Sequence, residues 1–260
     1  MNKDSYIAFF DSGMGGLSVL KTAVEFYPFE NYLYYADVLN APYGNYSKKK
    51  IFELTKNSIT EILKYDVKAI VLACNTATNV GISALRDELN IDIFGLEPAV
   101  KPATIKIKEG KILILATNAT VKQQKFKNLC KTYNTNNNLI IAPQKNLAKD
   151  IENNFFNKKI LYQKLDKYLK DYNNIISGCV LGCTHYVLIK DLIREKLKNT
   201  ELFDGNTGVI LNLFKTLRKK GLVSINKTGS VKLITTDKNQ HKRHEYAKIL
   251  NSFQLSVEII

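Results

Sequence analysis

The 260-residue sequence is poor in cysteine. Cys74, Cys130, Cys179 and Cys183 are too few for a disulfide scaffold, so free thiols in a reducing compartment are expected. No apolar run approaches the roughly 18–20 residues that a membrane-spanning helix needs. Met1-Asn2-Lys3-Asp4 leads at once into an apolar strand without the layout of a signal peptide, and a cytoplasmic protein with no membrane partner is expected. Disorder is excluded by composition, with 45% hydrophobic and 24% charged residues. Acidic residues are scarce, 24 against 38 lysines and arginines, which gives a net charge of +14. The excess is uneven: residues 1–97 carry −3, residues 98–208 carry +10 and residues 209–260 carry +7. Such a balance invites a nucleic-acid reading. Yet Lys122, Lys125, Lys127 and Lys131 are spread along a helical stretch with few aromatics between them, and 26 asparagines accompany the lysines. AT-biased coding accounts for both, ahead of attraction of anionic substrates or a polyanion-binding surface.

Length favours two domains of moderate size. Short apolar runs at 6–10, 32–36, 69–73, 91–94, 111–115, 139–142, 176–181 and 232–235 read as strands. They are rich in β-branched and aromatic residues with little alternation, as in strands buried on both faces. Between them, 17–25, 48–63, 121–133, 158–170 and 188–197 read as helices. This alternation predicts an α/β fold with parallel sheets. The polar stretch 132–138 reads as a surface turn. The segment 69–76, a strand followed by Cys74-Asn75-Thr76, has an echo at 176–185, where a strand is followed by Cys183-Thr184-His185. Two related α/β halves are expected, each with a cysteine at the carboxyl end of a strand, the edge where ligands bind in open α/β sheets.

Four segments carry candidate chemistry. Asp11-Ser12-Gly13-Met14-Gly15-Gly16 follows the first strand and precedes a helix, so its glycines allow backbone N–H groups to come close to a ligand. It is not a dinucleotide fingerprint, because Ser18 stands where the last glycine belongs, and it lacks the GK[ST] of a Walker loop. Asp11 would repel phosphate and suits an ammonium group or proton transfer. Ala41-Pro42-Tyr43-Gly44 taken alone is a turn. Cys74 at a helix start is exposed to the pKa-lowering effect of the helix N-terminus, with Asn75 and Thr76 as neutral donors suited to a carboxylate; the bland alternative is a small buried hydrophobe. Cys183 with His185 two residues on is a pair that makes a thiolate or hands on a proton. Cys179, Cys183 and His185 hint at zinc, but a structural site needs four ligands and the other histidines, His241 and His244, lie in a basic C-terminal helix. No metal and no cofactor are expected, and Cys130 and Cys179 read as structural. If the halves face one another, the two thiols flank one cleft. One can then remove a proton from a stereocentre while the other returns a proton to the opposite face, which is racemisation.

These residues resemble the glutamate racemases of the aspartate/glutamate racemase superfamily. The matching motifs are FDSGMGGLSVL from Phe10, APYG from Ala41, LACNTAT from Leu72, GLEPAVKPA from Gly95, LATNATV from Leu115 and LGCTHYVLI from Leu181, in family order over residues 10 to about 190. The resemblance implies two α/β domains with the active site between them, residues 1–97 with 209–260 forming the first and 98–208 the second. It implies that Cys74 and Cys183 are the two proton donors and acceptors, that Asp11 assists the first and His185 the second, and that Asp11, Ser12, Tyr43, Gly44, Asn75, Thr76, Thr184 and His185 hold the amino acid. It further implies a cofactor-free, homodimeric enzyme supplying D-glutamate for peptidoglycan. Departures are Ala36 for the usual Gly, Val187 for Pro and Gly205 for Ser. The family's further acidic position falls on Asp150 or Glu152. The alternatives are an aspartate racemase or related isomerase of the same superfamily, and a dual-role protein whose basic C-terminal half binds DNA.

Overall fold

The computed structural model describes residues 2–134, 138–225, 227–253 and 256–260. In chain order the elements are β1 (Tyr6–Asp11), α1 (Leu17–Phe26), β2 (Asn31–Ala36), α2 (Lys48–Ile62), β3 (Val67–Leu72), α3 (Asn75–Glu88), β4 (Asp92–Gly95) and α4 (Val100–Lys106). There follow β5 (Lys111–Thr117), α5 (Asn118–Lys122), α6 (Gln124–Tyr133), β6 (Leu139–Gln144), α7 (Leu147–Asn154), α8 (Lys158–Leu169), β7 (Ile176–Gly182), α9 (Thr184–Leu188), α10 (Lys190–Lys196) and β8 (Glu201–Phe203). The last are α11 (Asn206–Lys219), β9 (Ser230–Thr235), α12 (Gln240–Asn251) and β10 (Ser256–Ile259).

Two parallel sheets form, as the strand–helix alternation predicts. One has six strands in the order β10-β9-β2-β1-β3-β4, the other four in the order β6-β5-β7-β8. Helices cover both faces of each. On the six-stranded sheet, Leu17 and Leu20 of α1, Leu213 and Leu217 of α11 and Tyr246 of α12 pack on one face. Ile51 and Ile59 of α2 and Ile82 and Leu85 of α3 pack on the other. The central strand β3 is buried along its whole length, which is why its sequence is a continuous apolar run rather than an alternating one. Strand β9, next to the edge strand β10, alternates between buried and half-buried positions instead.

The details depart from the sequence reading where local backbone preferences do not show in hydrophobic periodicity. The expected helix at 121–133 breaks at Gln123, whose backbone is extended, and Thr117 caps the short α5 by accepting from the Thr120 N–H. The expected helix at 188–197 starts two residues later, because Ile189 interrupts the turn between α9 and α10. Of the polar stretch 132–138, residues 135–137 lie outside the described residues. Among the described residues, no helix is long and apolar enough to cross a membrane.

At the amino end of β3 the fully buried Lys68 bonds to Glu30 Oε2 at 2.6 Å and to the Lys3 carbonyl, while Glu30 Oε1 accepts from the Ser224 N–H at 2.9 Å. This ion pair joins the start of the six-stranded sheet to the segment before β9. Lys68→Met is expected to destabilise the protein by about 3–5 kcal/mol, because it leaves a buried carboxylate without its counter-charge. Urea denaturation measures it, and a loss below ~1 kcal/mol would show that Glu30 is solvated in the folded state.

Candidate active site

Asp11, Cys74 and Cys183 lie at the carboxyl edges of strands, whereas Tyr43 and Gly44 lie in a short 3-10 turn between β2 and α2. Asp11 ends β1, paired in register with Ala36 of β2. Cys74 directly precedes α3, one residue beyond Ala73, whose N–H bonds to the Phe10 carbonyl. Cys183 follows β7 and directly precedes α9. Both cysteines are buried and free, as are Cys130 and Cys179. The two carboxyl edges meet. Thr184 Oγ1 donates to Asp11 Oδ2 at 3.0 Å, and the Met14 N–H donates to Glu152 Oε2 at 3.2 Å, so each half supplies one bond to the other. Ser18 Oγ adds a bond to the Thr184 carbonyl at 3.4 Å, and α1 packs on α9.

This contact accounts for two of the glycines in the loop 12–16. A Cβ on Gly15 would collide with Thr184 Oγ1 and would stand 2.5 Å from His185 Nδ1 and 2.7 Å from the His185 backbone nitrogen. One on Gly13 would lie 2.8 Å from Glu152 Oε2. Two of the loop N–H groups are also taken: Gly13 donates to Asp11 Oδ1 at 2.8 Å and Met14 to Glu152. The close approach that the sequence reserves for a ligand is, at Gly13 and Gly15, taken by the other half of the chain. The loop is a seam between the two halves, and these glycines let Thr184 and His185 lie against it.

On the Cys183 side, Sγ is 3.9 Å from His185 Nδ1, and His185 Nε2 is 2.6 Å from Glu152 Oε2. Burial works against a charged His185, but its bonds to Cys183 and Glu152 and the Glu152 charge prevail, and its pKa stands well above the ordinary histidine value. Burial likewise works to raise Glu152, yet the His185 bond and charge, the Met14 N–H and Lys242 together hold it below the ordinary value. The pair is thus imidazolium and carboxylate. Of the two acidic residues that the sequence leaves open, Glu152 is the one at the site. Asp150 points elsewhere, bonded to Lys164 Nζ at 2.7 Å and to the Tyr168 hydroxyl.

On the Cys74 side, Sγ lies 3.7 Å from Ser12 Oγ. Burial pushes this thiol up to about 12, and the Asp11 charge adds to the rise. The start of α3 does act in the expected direction through the Ala77 N–H, as does Ser12, but burial outweighs both. The expectation of a helix-lowered thiol at Cys74 is corrected accordingly. Asp11 is fully buried, which raises its carboxyl from 3.8 to about 6 against the lowering influence of His185, Gly13 and Thr184.

Around the thiols stand groups with polar atoms to spare. Asn75 Oδ1 is buried and has no hydrogen-bond partner. Thr76 Oγ1 pairs with Thr117 Oγ1 at 3.1 Å and Thr120 Oγ1 at 3.4 Å, and the last two pair at 2.9 Å. Thr117 and Thr120 were not singled out from the sequence as site residues, although they lie in the motif LATNATV; only the fold brings them to Thr76. Tyr43 is turned differently from a residue that offers its hydroxyl to a ligand. Its OH donates to Asp37 Oδ2 at 2.6 Å, and its ring packs 6.0 Å from Phe10. Gly44 sits over Thr117, with a Cβ there reaching 3.3 Å from Thr117 Cβ. A cleft of about 610 Å³ between α1, α11 and α12, lined by Leu17, Phe155, Asn206 and Lys248 among others, includes neither Cys74 nor Cys183. Among the described residues, no group of three or more His, Cys, Asp or Glu side chains is arranged to hold a metal ion.

Comparisons with known proteins agree with this chemistry. The family described as Asp/Glu/Hydantoin racemase matches residues 41–210. The glutamate racemase of Clostridium botulinum (strain Alaska E43) is 39% identical over 254 residues, covering 96% of this chain and 98% of that protein. The glutamate racemase of Clostridium perfringens (strain 13) is 42% identical over 232 residues, covering 86% and 88%. Among solved structures, a glutamate racemase isoform from Bacillus anthracis superposes with a TM-score of 0.84 at 26% identity, covering 100% of this chain and 98% of that one. That of Francisella tularensis in complex with D-glutamate gives 0.82 at 25% identity, covering 99% and 98%.

Proposed function

Because the chain belongs to the Asp/Glu/Hydantoin racemase family, and within it to the glutamate racemases, we propose that its two buried thiols interconvert L- and D-glutamate without a cofactor. The protein is an amino-acid racemase; the finer assignments follow from the site. The observation that carries them is the Thr184–Asp11 bond, which brings the Cys74 edge of one sheet against the Cys183 edge of the other. For L-glutamate, the Cys183 thiolate takes the α-proton, the Cα–H bond electrons remain on carbon, and the Cys74 thiol delivers its proton to the opposite face. For D-glutamate the roles reverse. The His185 imidazolium gives a thiolate at Cys183 its counter-charge, and Cys74, held as a thiol by burial, is the donor in the L-to-D direction. Preorganised donors and the substrate's own ammonium balance the carbanion character at Cα.

Asp11, Ser12, Asn75, Thr76, Thr184 and His185, with the backbone of Tyr43 and Gly44, are the proposed substrate contacts. The unpaired Asn75 Oδ1 supports an amino-acid contact there, and the hydroxyl cluster of Thr76, Thr117 and Thr120 supports a carboxylate contact. Thr184→Val is expected to leave the fold intact and to cost about 1–3 kcal/mol of binding or transition-state stabilisation, the usual effect of losing a hydrogen bond to a charged group. Unchanged kcat/KM in a folded variant would remove Thr184 from the site.

The proposal takes residues 1–97 with 209–260 and residues 98–208 as the two units, which sheet membership supports. It extends to a homodimer, supported by the family resemblance and checked by sedimentation, and to the cytoplasm, supported by four unbridged thiols. The deciding experiment is circular dichroism of L-glutamate, and separately of L-aspartate, incubated with the pure protein after dialysis against EDTA and treatment with a carbonyl-trapping reagent. Decay of the glutamate signal to zero is expected. No decay, or faster decay for aspartate, would overturn the reading.

A further inference from the structure

Glu152 meets His185 through one oxygen only. The other, Oε1, accepts a hydrogen bond from the Tyr246 hydroxyl at 3.2 Å. Tyr246 lies on α12, beyond the stretch that the family motifs reach, yet its side chain is fully buried. Its ring sits 6.4 Å from that of Tyr34, whose own hydroxyl donates to the Gly13 carbonyl at 2.7 Å. Burial, with the Glu152 charge adding to it, holds the Tyr246 phenol well above its ordinary value, so it stays a donor. From the same helix Lys242 Nζ reaches the Glu152 carbonyl at 3.5 Å. A carboxylate held at both oxygens cannot rotate freely, and its angle sets that of the imidazole bonded to it.

We propose that Tyr246 is a positioning residue of the Cys183 half-reaction: its hydroxyl fixes Glu152, which in turn keeps the His185 ring aimed at Cys183. The assignment rests on the two-thiol reading and deepens it. The C-terminal helix thereby reaches proton transfer on one face of the substrate and leaves transfer at Cys74 untouched.

Tyr246→Phe deletes the hydroxyl and keeps the ring. Racemisation is expected to slow roughly tenfold, the scale of one lost hydrogen bond to a charged group. The equilibrium constant of a racemisation is unity, so kcat/KM must fall equally for both enantiomers and cannot say which face is affected. Deuterium at Cα can. Slower transfer at Cys183 makes proton removal from L-glutamate more rate-limiting and makes removal from D-glutamate less so. The isotope effect on kcat/KM is therefore expected to grow for α-deuterated L-glutamate and to shrink for the D enantiomer. Changes of the same sign for both, or no change, would overturn the proposal, since a general loosening of the fold moves both together. As a second arm, the Y246F effect should fall below twofold when measured on the residual rate of an E152Q background; a full tenfold effect there would also overturn it. A wild-type protein that fails to racemise glutamate refutes the function, whereas an active wild type with symmetric isotope effects in Y246F refutes the positioning role alone.

Discussion

Cys74→Ala and Cys183→Ala are each expected to lower racemisation by at least roughly 10²–10⁴-fold, the range that a positioned acid or base contributes. A proton must be both removed and returned, on opposite faces of one carbon, so one remaining thiol cannot complete the inversion. It can still perform half of it. In deuterated water the Cys74→Ala variant should exchange the α-proton of L-glutamate without inverting it, and the Cys183→Ala variant that of D-glutamate. Proton NMR of the α-position follows both. Cys130→Ala and Cys179→Ala should racemise normally after a packing loss on the order of 1 kcal/mol, because those cysteines belong to hydrophobic clusters of the second half. Full racemisation by either the Cys74 or the Cys183 variant would sink the two-base reading and the function drawn from it.

Asp11→Asn should make the protein more stable and the enzyme much slower. The wild-type carboxyl is raised from 3.8 to about 6 by burial. Below about pH 3 the group is protonated both folded and unfolded and has no effect on stability. As the pH rises through the interval from 3.8 to about 6, the unfolded chain ionises first, and the folded state loses stability relative to it. Above that interval the cost is constant, about 3 kcal/mol from the conversion of 1.36 kcal/mol per pKa unit. Asparagine removes the charge and keeps an acceptor for the Gly13 N–H, while the Thr184 hydroxyl can turn to accept from the new amide. Urea denaturation should therefore show a gain of about 1–3 kcal/mol at pH 7–8 that fades to nothing at about pH 3. Racemisation should fall roughly 10²-fold, since the group beside Cys74 can no longer carry charge. A variant equally stable at both pH values would mean that Asp11 is already neutral, or well solvated, in the folded protein.

Much of this site was legible because strand–cysteine–helix is a local pattern. Cys74 and Cys183 could be placed at strand ends from apolar runs alone, and the echo between the halves pointed to one shared cleft. Proximity between distant segments was not legible in that way. Glu152 stood beside Asp150 on one short helix, and nothing in the periodicity said which of them faces His185. Thr117 and Thr120 became site neighbours only through the packing of α5 against α3, which carries Thr76. The glycines at 13 and 15 suggested a ligand loop, whereas the chain of the other half fills the space that they leave. The thiol of Cys74 went the wrong way for a similar reason: a helix N-terminus is visible in sequence, but the depth of burial that outweighs it is a property of the whole assembly. Tyr246 was invisible, since α12 reads as a basic surface helix with one buried tyrosine.

The strand order has a consequence for the growing chain on the ribosome. Strands β2 and β9 are neighbours, although nearly 200 residues separate their register partners Asn31 and Ser230. When β8 emerges, every strand of the four-stranded sheet has been made, and that half can close. The six-stranded sheet at that moment has only four of its strands, with the flank of β2 open and no α12 to cover Tyr34. A half-built sheet with an uncovered parallel edge is a template for mispairing between nascent chains. The order of completion therefore runs against the order of synthesis, and the segment made first is the one that waits longest for its last neighbours.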